Sequence, residues 1–208
     1  MNTKAILFDF DGVIADTEPQ YEIYFNALGE NFGLGENFAA KVKGVTLPNI
    51  LEKYFADKPE LWKKIADETV IFECNMDFCF INGAKEFLEY LKKNNYKLAL
   101  VTSSPQAKMD VALKKMKLEN TFDAVFTATQ ITHGKPNPMC YLTAAANLGF
   151  SPDECVVFED SIAGLQAGRN AGAKVVGLST TLPAGIVKNY AGNIIPDFAN
   201  LEDAIKFL

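Results

Sequence analysis

The chain has 208 residues, of which 49% are hydrophobic, so it is long enough to bury a substantial core as one domain with a smaller insertion. Its 26 acidic and 20 basic side chains leave a net charge of −6, and the basic residues form no stripe of the kind that nucleic-acid surfaces need. No apolar run is long enough to cross a membrane, and the chain enters its first strand too early for a signal peptide. These features predict a cytoplasmic protein with neither nucleic acid nor membrane as a partner.

The four cysteines and the one histidine exclude several kinds of site. Cys74, Cys79, Cys140 and Cys155 have no C-x-x-C spacing and no histidine cluster beside them. We therefore expect reduced, mostly buried thiols rather than a zinc site. A Ser-His-Asp or Cys-His mechanism would have to use His133, which the pattern places in a loop, so this type of catalysis is not expected.

The first patterned stretch is Ala5 to Val13, which reads AILFDFDGV. Four apolar residues predict a buried strand, and two acids one residue apart, Asp9 and Asp11, follow directly. Carboxylates at the carboxyl end of a strand lie where open α/β sheets bind ligands. Two like charges in such a place need a cation or protons to compensate them, which indicates a metal site or acid–base chemistry. The alternative is a turn that carries two surface acids.

A helical segment is predicted after this strand. Apolar residues at helical spacing from Tyr21 to Phe32 indicate an amphipathic helix, and Thr17 with Gln20 fits a capping box at its start. No strand is expected from 16 to about 80. The other elements expected in this segment are helices at about 48–55 and 59–73 and a basic loop at 41–46.

From about residue 82 the pattern alternates between helix and strand, which predicts a parallel sheet covered on both faces. The strands are expected at 97–101, 123–127, 154–158 and 174–178, with a weaker one at 193–195. The helices are expected at 83–94, up to 116, between 136 and 149, after 161 and from 201. The predicted fold class is α/β: a doubly wound parallel sheet built from 1–15 and 81–208, with 16–80 as an inserted all-helical domain.

Polar residues recur where the predicted strands end. They are Asp9 and Asp11 after the first strand, Thr102 and Ser103 after the second, Lys135 at the start of the helix after the third, and Glu159 and Asp160 after a later one. Carboxylates can hold Mg²⁺, or act as a nucleophile that forms an aspartyl-phosphate. A hydroxyl, backbone N–H groups and a lysine can hold a transferring phosphoryl group. This combination suits phosphoryl transfer.

Each of these groups also has an ordinary structural explanation. The hydroxyls of 102–104 are typical helix N-caps, Lys135 before a proline is typical of a solvated loop, and 159–161 suits the cap of the following helix. Their joint occurrence at successive strand ends favours a functional site.

These motifs resemble the four ordered motifs of the haloacid dehalogenase-like superfamily. The matching runs are Asp9-Phe10-Asp11-Gly12-Val13, Thr102-Ser103, Lys135-Pro136 and Glu159-Asp160-Ser161. The resemblance covers the whole predicted core, and the helical insert lies where that superfamily has its first type of helical cap. The subgroup most similar to this chain comprises β-phosphoglucomutase-like and phosphoglycolate phosphatase-like proteins.

The resemblance implies a role for each catalytic residue. Asp9 would be the nucleophile, and Asp11 would be the general acid for the leaving group and then the base for water. Thr102, the Ser103 N–H and Lys135 would hold the phosphoryl group. Dehalogenases of the superfamily lack an acid at the position of Asp11, so its presence implies an oxygen leaving group that needs a proton.

The resemblance also implies Mg²⁺ as the cofactor. Its ligands would be Asp9, the Asp11 carbonyl and Asp160, with Glu159 either a direct ligand or a partner of one. In this superfamily the first strand neighbours the strand that ends at Asp160, where the winding reverses.

The helical insert departs from the mutase pattern. Mutases of the β-phosphoglucomutase type carry a histidine where this chain has Tyr21, and an arginine where it has Leu47, after the matching run Lys43-Gly44-Val45. Without the arginine the insert loses a bidentate grip on a second phosphate. Lys43 and Thr17 are the candidate substrate-binding residues here, and a solvated loop lysine is the alternative for Lys43.

The favoured function is therefore a Mg²⁺-dependent phosphatase that hydrolyses a small phosphorylated metabolite through an aspartyl-phosphate. The first alternative is a sugar-phosphate mutase. A second, of another class, is a phosphoacceptor module that resembles a response-regulator receiver, but receivers are shorter and have no insert after the first strand. The sequence leaves the substrate and the oligomeric state open.

Overall fold

The computed structural model describes residues 3–43 and 45–208, which fold into two compact units. The first unit comprises the chain up to residue 16 together with 78–208, and the second comprises 17–77. That the first unit is a catalytic core and the second a substrate-selecting cap stays a prediction. Among the described residues, no helix combines the length and the apolar character needed to cross a membrane.

Six strands in the described part of the chain form one parallel sheet in the first unit. They are β1 (Ala5–Phe8), β2 (Lys97–Val101), β3 (Ala124–Phe126), β4 (Cys155–Glu159), β5 (Lys174–Leu178) and β6 (Asn193–Ile195). Their order across the sheet is β3-β2-β1-β4-β5-β6, so the winding reverses between β1 and β4. The predicted doubly wound α/β sheet is confirmed.

Ten α-helices are present in the described residues, six of them in the first unit and four in the second. They are α1 (Glu18–Phe32), α2 (Phe38–Val42), α3 (Leu47–Tyr54), α4 (Trp62–Asn75), α5 (Ala84–Lys93), α6 (Gln106–Met116), α7 (Met139–Leu148), α8 (Ile162–Asn170), α9 (Ala184–Val187) and α10 (Leu201–Ile205). Short 3₁₀ turns lie at Pro59–Leu61 and Pro152–Glu154.

Both faces of the sheet are buried because its strands are apolar on both sides. Ile6 and Phe8 belong to the core shared with α5, α6 and α10. Leu7 belongs to the opposite core, shared with α7, α8 and α9. Phe8 stacks on Phe158 with ring centroids 5.4 Å apart and meets Phe87 edge-on at 6.0 Å, which ties β1, β4 and α5 together. The packed sheet provides a rigid edge for polar groups.

The second unit has its own small core. Leu28, Phe38, Ile50, Phe55 and Ile65 are buried together, one or more from each of its helices or the turns between them. α1 and α2 approach closely because one of the two positions in contact is a glycine. A Cβ at Gly29 would lie 2.3 Å from the Cβ of Phe38, so this crossing has no room for a larger residue.

Three local predictions in the second unit need correction or qualification. The Thr17 and Gln20 capping box does not form, because the Gln20 side chain instead accepts from the N–H of Asp77 and donates to its carbonyl. The predicted basic loop at 41–46 is wrong at its start, since 41 and 42 belong to α2, whose buried face joins the core. Gly44 lies outside the described residues.

Two predictions in the first unit are corrected as well. Lys135 does not begin a helix, because α7 starts only at Met139, after a loop that contains two prolines. The thiols are free as expected, but only Cys140 and Cys155 are buried, while Cys79 is exposed.

Candidate active site

The polar residues at the strand ends meet at the carboxyl edge of the sheet, beside the point where its winding reverses. Phe8 pairs in register with Phe158, so Asp9, directly after β1, lies beside Glu159, the last residue of β4. The backbone N–H of Asp9 donates to the Phe158 carbonyl at 3.1 Å and continues this pairing. Asp160 follows Glu159 and is also buried. The topology thus brings three carboxylates from two adjacent strands into one place.

Lys135 connects the acids of the two strands. Its ammonium group donates to Asp9 Oδ1 at 2.6 Å, to Glu159 Oε1 at 2.5 Å and to the Val101 carbonyl at 3.1 Å. These acceptors account for all three protons of the ammonium group. The ammonium also lies 5.3 Å from the centre of the Tyr141 ring. A lysine whose side chain is only 6% exposed requires such pairing, because a buried unpaired charge is costly.

The surroundings of Asp9 disfavour its ionised form. Burial raises the pKa of Asp9 to about 7; Lys135 opposes this rise, while Glu159 and Asp11 add to it. Burial also acts to lower the pKa of Lys135, but the neighbouring carboxylates outweigh it and hold that pKa well above its ordinary value. Lys135 pairs with Asp9 and Glu159, and one oxygen of Asp160 lies within 4.8 Å of theirs. Because the pKa of Asp9 is raised even beside Lys135, a cation next to it would favour its ionised form.

Glu159 accepts hydrogen bonds at both of its carboxylate oxygens. Oε1 accepts from Lys135 and from the Tyr141 hydroxyl at 3.1 Å. Oε2 accepts from the N–H of Asp160 at 3.0 Å and from both the N–H and the hydroxyl of Ser161, at 2.9 and 3.0 Å. Five donors use this carboxylate, so its geometry favours holding Lys135 over binding a metal ion directly.

The acids fit a hard divalent cation. One carboxylate oxygen from each of Asp9, Glu159 and Asp160 lies within 4.8 Å of the others. Gly12 keeps the space open, since a Cβ there would lie 2.1 Å from Asp160 Oδ2 and 2.5 Å from Thr181 Oγ1. The Thr181 hydroxyl is buried and has no hydrogen-bond partner among the described residues. An unused hydroxyl beside carboxylates suits the water shell of an ion such as Mg²⁺.

Asp11 has partners that the sequence analysis did not identify. Its Oδ1 accepts from the Lys108 ammonium at 2.5 Å, and its Oδ2 accepts from the Ser104 hydroxyl at 2.7 Å. Lys108 also donates to Ser104 Oγ at 3.0 Å, which closes a three-membered network. Lys108 is fully buried on α6, and the Asp11 side chain is 20% exposed.

The sequence does contain a signal for this network. Lys108 occupies the buried face of α6 together with Ala112 and Met116, at spacings of four residues. A lysine inside an apolar stripe requires a buried acidic partner. Ser104 lies four residues before Lys108, so the two side chains lie on one side of the helix start.

The two residues predicted to hold phosphate lie at the end of β2. Thr102 is buried, its N–H donates to the Phe126 carbonyl, and its hydroxyl accepts from the Ser104 N–H at 3.0 Å. Ser103, which lies between Thr102 and Ser104, is exposed. Both therefore lie at the same edge as Asp9, where backbone and hydroxyl donors can face an anion.

The predicted substrate-binding residues of the insert lie in the second unit. Thr17 is buried directly before α1. Lys43 follows α2, and its ammonium lies 3.5 Å from the Glu18 carboxylate. Tyr21, at the position of the mutase histidine, donates to Glu73 at 2.6 Å. Contact of Thr17 or Lys43 with a substrate stays a prediction.

Comparison with known proteins identifies the family. Residues 6–178 match the family model of haloacid dehalogenase-like hydrolases. The chain belongs to this family. The phosphorylated carbohydrates phosphatase of Thermotoga maritima is 33% identical to it over 199 residues, which cover 92% of each chain. The β-phosphoglucomutase of Bacillus subtilis is 31% identical over 194 residues, 86% of this chain and 85% of that one.

Solved structures agree on the fold. A haloacid dehalogenase-like hydrolase of family IA, variant 3, from Entamoeba histolytica superposes with a TM-score of 0.86 at 27% identity, covering 98% of both chains. The predicted family resemblance is confirmed, and so is the prediction that the chain is an enzyme, a phosphatase of this family. Membership of a hydrolase family also disfavours the receiver-like alternative.

Proposed function

We propose that this enzyme is a Mg²⁺-dependent phosphatase that hydrolyses a small phosphate monoester through an aspartyl-phosphate on Asp9. The observation that carries the proposal is the bridge from Lys135 to Asp9 and Glu159, next to Asp160 at the strand switch point. A buried carboxylate that is held by an ammonium group, and whose ionised form a cation would favour, suits nucleophilic attack on a phosphate ester.

In the first half-reaction, an oxygen of Asp9 attacks phosphorus. The new O–P bond forms as the P–O bond to the leaving group breaks, and the electron pair of that bond moves to the leaving oxygen. Asp11 gives its proton to this oxygen, so that a neutral alcohol leaves. Thr102, the Ser103 N–H and Lys135 hold the oxygens of the transferring group and balance the charge that develops on them.

In the second half-reaction, water attacks the phosphorus of the aspartyl-phosphate. Asp11, now a carboxylate, takes a proton from this water as the new P–O bond forms. The bond between phosphorus and the Asp9 oxygen breaks, its electron pair returns to Asp9, and inorganic phosphate is released. The two residues thus end in the states in which they began.

The proposed Mg²⁺ ligands are Asp9, the Asp11 carbonyl and Asp160. The ion would supply positive charge to the phosphoryl oxygens and favour the ionised form of Asp9. Glu159 then acts by holding Lys135, because its two oxygens already accept five hydrogen bonds. The buried Thr181 hydroxyl is available to the water shell of the ion.

We infer a phosphorylated carbohydrate as the substrate class. Relatives that align over most of the chain bear the names of a phosphorylated carbohydrates phosphatase and a β-phosphoglucomutase, both of which handle sugar phosphates. The helical insert, with Thr17 and Lys43, is the segment proposed to select among such substrates.

A sugar-phosphate mutase remains the second candidate, favoured by the B. subtilis relative. Against it, Leu47 stands where mutases of this type have an arginine, and Tyr21 stands where they have a histidine. A mutase must hold a second phosphate, which leucine cannot do. Incubation with hexose phosphates and a bisphosphate primer distinguishes the two: isomerisation without release of phosphate would identify a mutase.

The proposal predicts that Asp9→Asn abolishes hydrolysis. With Mg²⁺ present, turnover of 4-nitrophenyl phosphate and of a panel of sugar phosphates should fall by at least about 10³-fold, because an amide does not form the acyl phosphate. Asp57→Asn, the same change at an exposed residue of the second unit, should keep normal turnover. If Asp9→Asn hydrolyses these esters at the normal rate while folded by circular dichroism, the mechanism is wrong.

A further inference from the structure

Lys108 is a fully buried lysine that the reaction scheme above does not use. Its ammonium group lies 2.5 Å from Asp11 Oδ1 and 3.0 Å from Ser104 Oγ, and 5.8 Å from the centre of the Phe10 ring. Ser104 in turn donates to the other oxygen of Asp11 at 2.7 Å. Both oxygens of one carboxylate are thereby held from one short segment, Ser104 before α6 and Lys108 in its first turn.

The burial of Lys108 is not explained by packing alone. Its neighbours on the same face of α6 are apolar, and a methionine at this position would fill a similar volume without desolvating a charge. A buried ion pair is frequently no more stabilising than a hydrophobic pair of similar size. Two hydrogen bonds of the lysine indicate another role, because one reaches Asp11 and the other reaches the hydroxyl that also holds Asp11.

We propose that Lys108 is a positioning residue that, together with Ser104, holds the Asp11 carboxyl group in one orientation for the two proton transfers of the phosphatase reaction. This inference rests on the function proposed above. A carboxyl group anchored at both oxygens loses little rotational freedom when it must meet first the leaving oxygen and then water. Proton transfer requires the two heavy atoms to approach within hydrogen-bond distance, so a mobile Asp11 would slow both steps.

The test compares two aryl esters of similar shape, 4-nitrophenyl phosphate and phenyl phosphate. Nitrophenolate leaves without a proton, whereas phenolate is a poorer leaving group that gains from one. In Lys108→Met, rapid mixing with 4-nitrophenyl phosphate should therefore give a normal first step. It would be seen as a burst of nitrophenolate whose amplitude equals the enzyme concentration. Slow turnover should follow, reduced by about tenfold to a hundredfold, because hydrolysis of the aspartyl-phosphate still needs Asp11.

With phenyl phosphate the same variant should show no burst, because its first step is also slowed. The ratio of kcat/KM for the two esters should shift by about tenfold in favour of the nitrophenyl ester. Ser104→Ala should change the same ratio in the same direction by less, and it provides the test if Lys108→Met does not fold. Lys114→Met, the same substitution at an exposed position of α6, should match the unchanged enzyme with both esters.

The outcomes separate this inference from the proposed function. The positioning role is overturned if Lys108→Met lowers the burst and the steady-state rate together, or lowers kcat/KM equally for both esters. Lys108 would then be a structural residue only. Unchanged kinetics in both variants would do the same. Failure of the proposed function would instead appear as full activity of Asp9→Asn, whatever Lys108→Met does.

Discussion

At the scale of individual residues, Glu159 is notable because both of its carboxylate oxygens accept hydrogen bonds. Its carboxylate is 0% exposed and accepts hydrogen bonds from Lys135, Tyr141, Asp160 and Ser161. A carboxylate in this position orients Lys135 and the start of α8 at the same time. Its electrostatic influence extends further, because it adds to the raised pKa of Asp9 and, after burial, to that of Tyr141.

Glu159→Gln tests this role at the residue scale. Glutamine has only one acceptor oxygen, and its NH₂ group would face donors that now bond to the second oxygen of Glu159. At least one buried donor would therefore lose its acceptor. We expect the free energy of unfolding to fall by about 1–3 kcal/mol, measured by urea titration, together with a loss of phosphatase activity because Lys135 is no longer held. Glu119→Gln, at an exposed position, should leave both quantities unchanged. Wild-type stability and turnover in Glu159→Gln would contradict the assignment.

At the scale of elements, the start of α8 is shaped to receive that carboxylate. Ser161 is the N-cap, and its hydroxyl accepts from the Gly164 N–H at 3.1 Å. A Cβ added at Gly164 would lie 1.7 Å from Glu159 Oε1, so only glycine allows the helix to approach the end of β4 this closely. The alanine- and glycine-rich pattern of this helix therefore has a precise cause at its first turn.

Gly164→Ala should displace Glu159 and disturb the contact of Lys135 with Asp9. We expect a loss of about 1–3 kcal/mol in the free energy of unfolding, because overpacking a filled site forces side chains or backbone to move. The matched change Gly185→Ala in α9, where a Cβ would meet no atom within 4 Å, should cost nothing or stabilise slightly. Thermal melts of the two variants check this, and equal melting temperatures would show that the first turn of α8 adapts freely.

Several strands were predictable because each is a short apolar run between polar or turn-forming residues. β2, β5 and β6 have the bounds that the sequence predicted. The start of α1 was not predictable in detail, because Gln20 has a competing partner in Asp77, 57 residues away in the chain. The loop position of Lys135 was likewise hidden, since the chain forms a helix only after its second proline.

At the scale of the whole molecule, the raised pKa of Asp9 at the sheet edge makes the stability of the folded protein depend on pH. Without a cation, burial raises the pKa of Asp9 to about 7 from an ordinary value of 3.8. Between those values the folded protein holds a proton that the unfolded chain has released, so the contribution of Asp9 to stability falls as the pH rises through this window. Above the window Asp9 is ionised in both states and its unfavourable contribution is constant.

Mg²⁺ should counter this loss, because it binds the ionised carboxylate in competition with the proton. The rise in melting temperature on adding MgCl₂ should therefore be larger at about pH 8 than at about pH 5.5. Differential scanning fluorimetry with and without the salt measures it, and Asp9→Asn should remove most of the effect. An equal rise at both pH values, or one that persists in the variant, would place the ion elsewhere.

The sequence by itself determined the family, the α/β sheet and the strand ends at which chemistry is expected, because motif spacing and apolar periodicity are local properties of the chain. It also named Asp9, Lys135, Glu159 and Asp160, which the fold brings into contact or near contact. Only the tertiary structure decided which of these groups form hydrogen bonds and ion pairs with one another.

Those bonds join residues far apart in the chain. Lys135 lies 126 residues from Asp9, and Lys108 lies 97 residues from Asp11. Which acid a buried lysine meets depends on the order of the strands and on the rotation of α6 about its axis, and neither is encoded within a single motif. For this reason, three features arise only at the folded sheet edge. They are the raised pKa of Asp9, the five hydrogen bonds that Glu159 accepts, and the hydrogen bonds that hold Asp11.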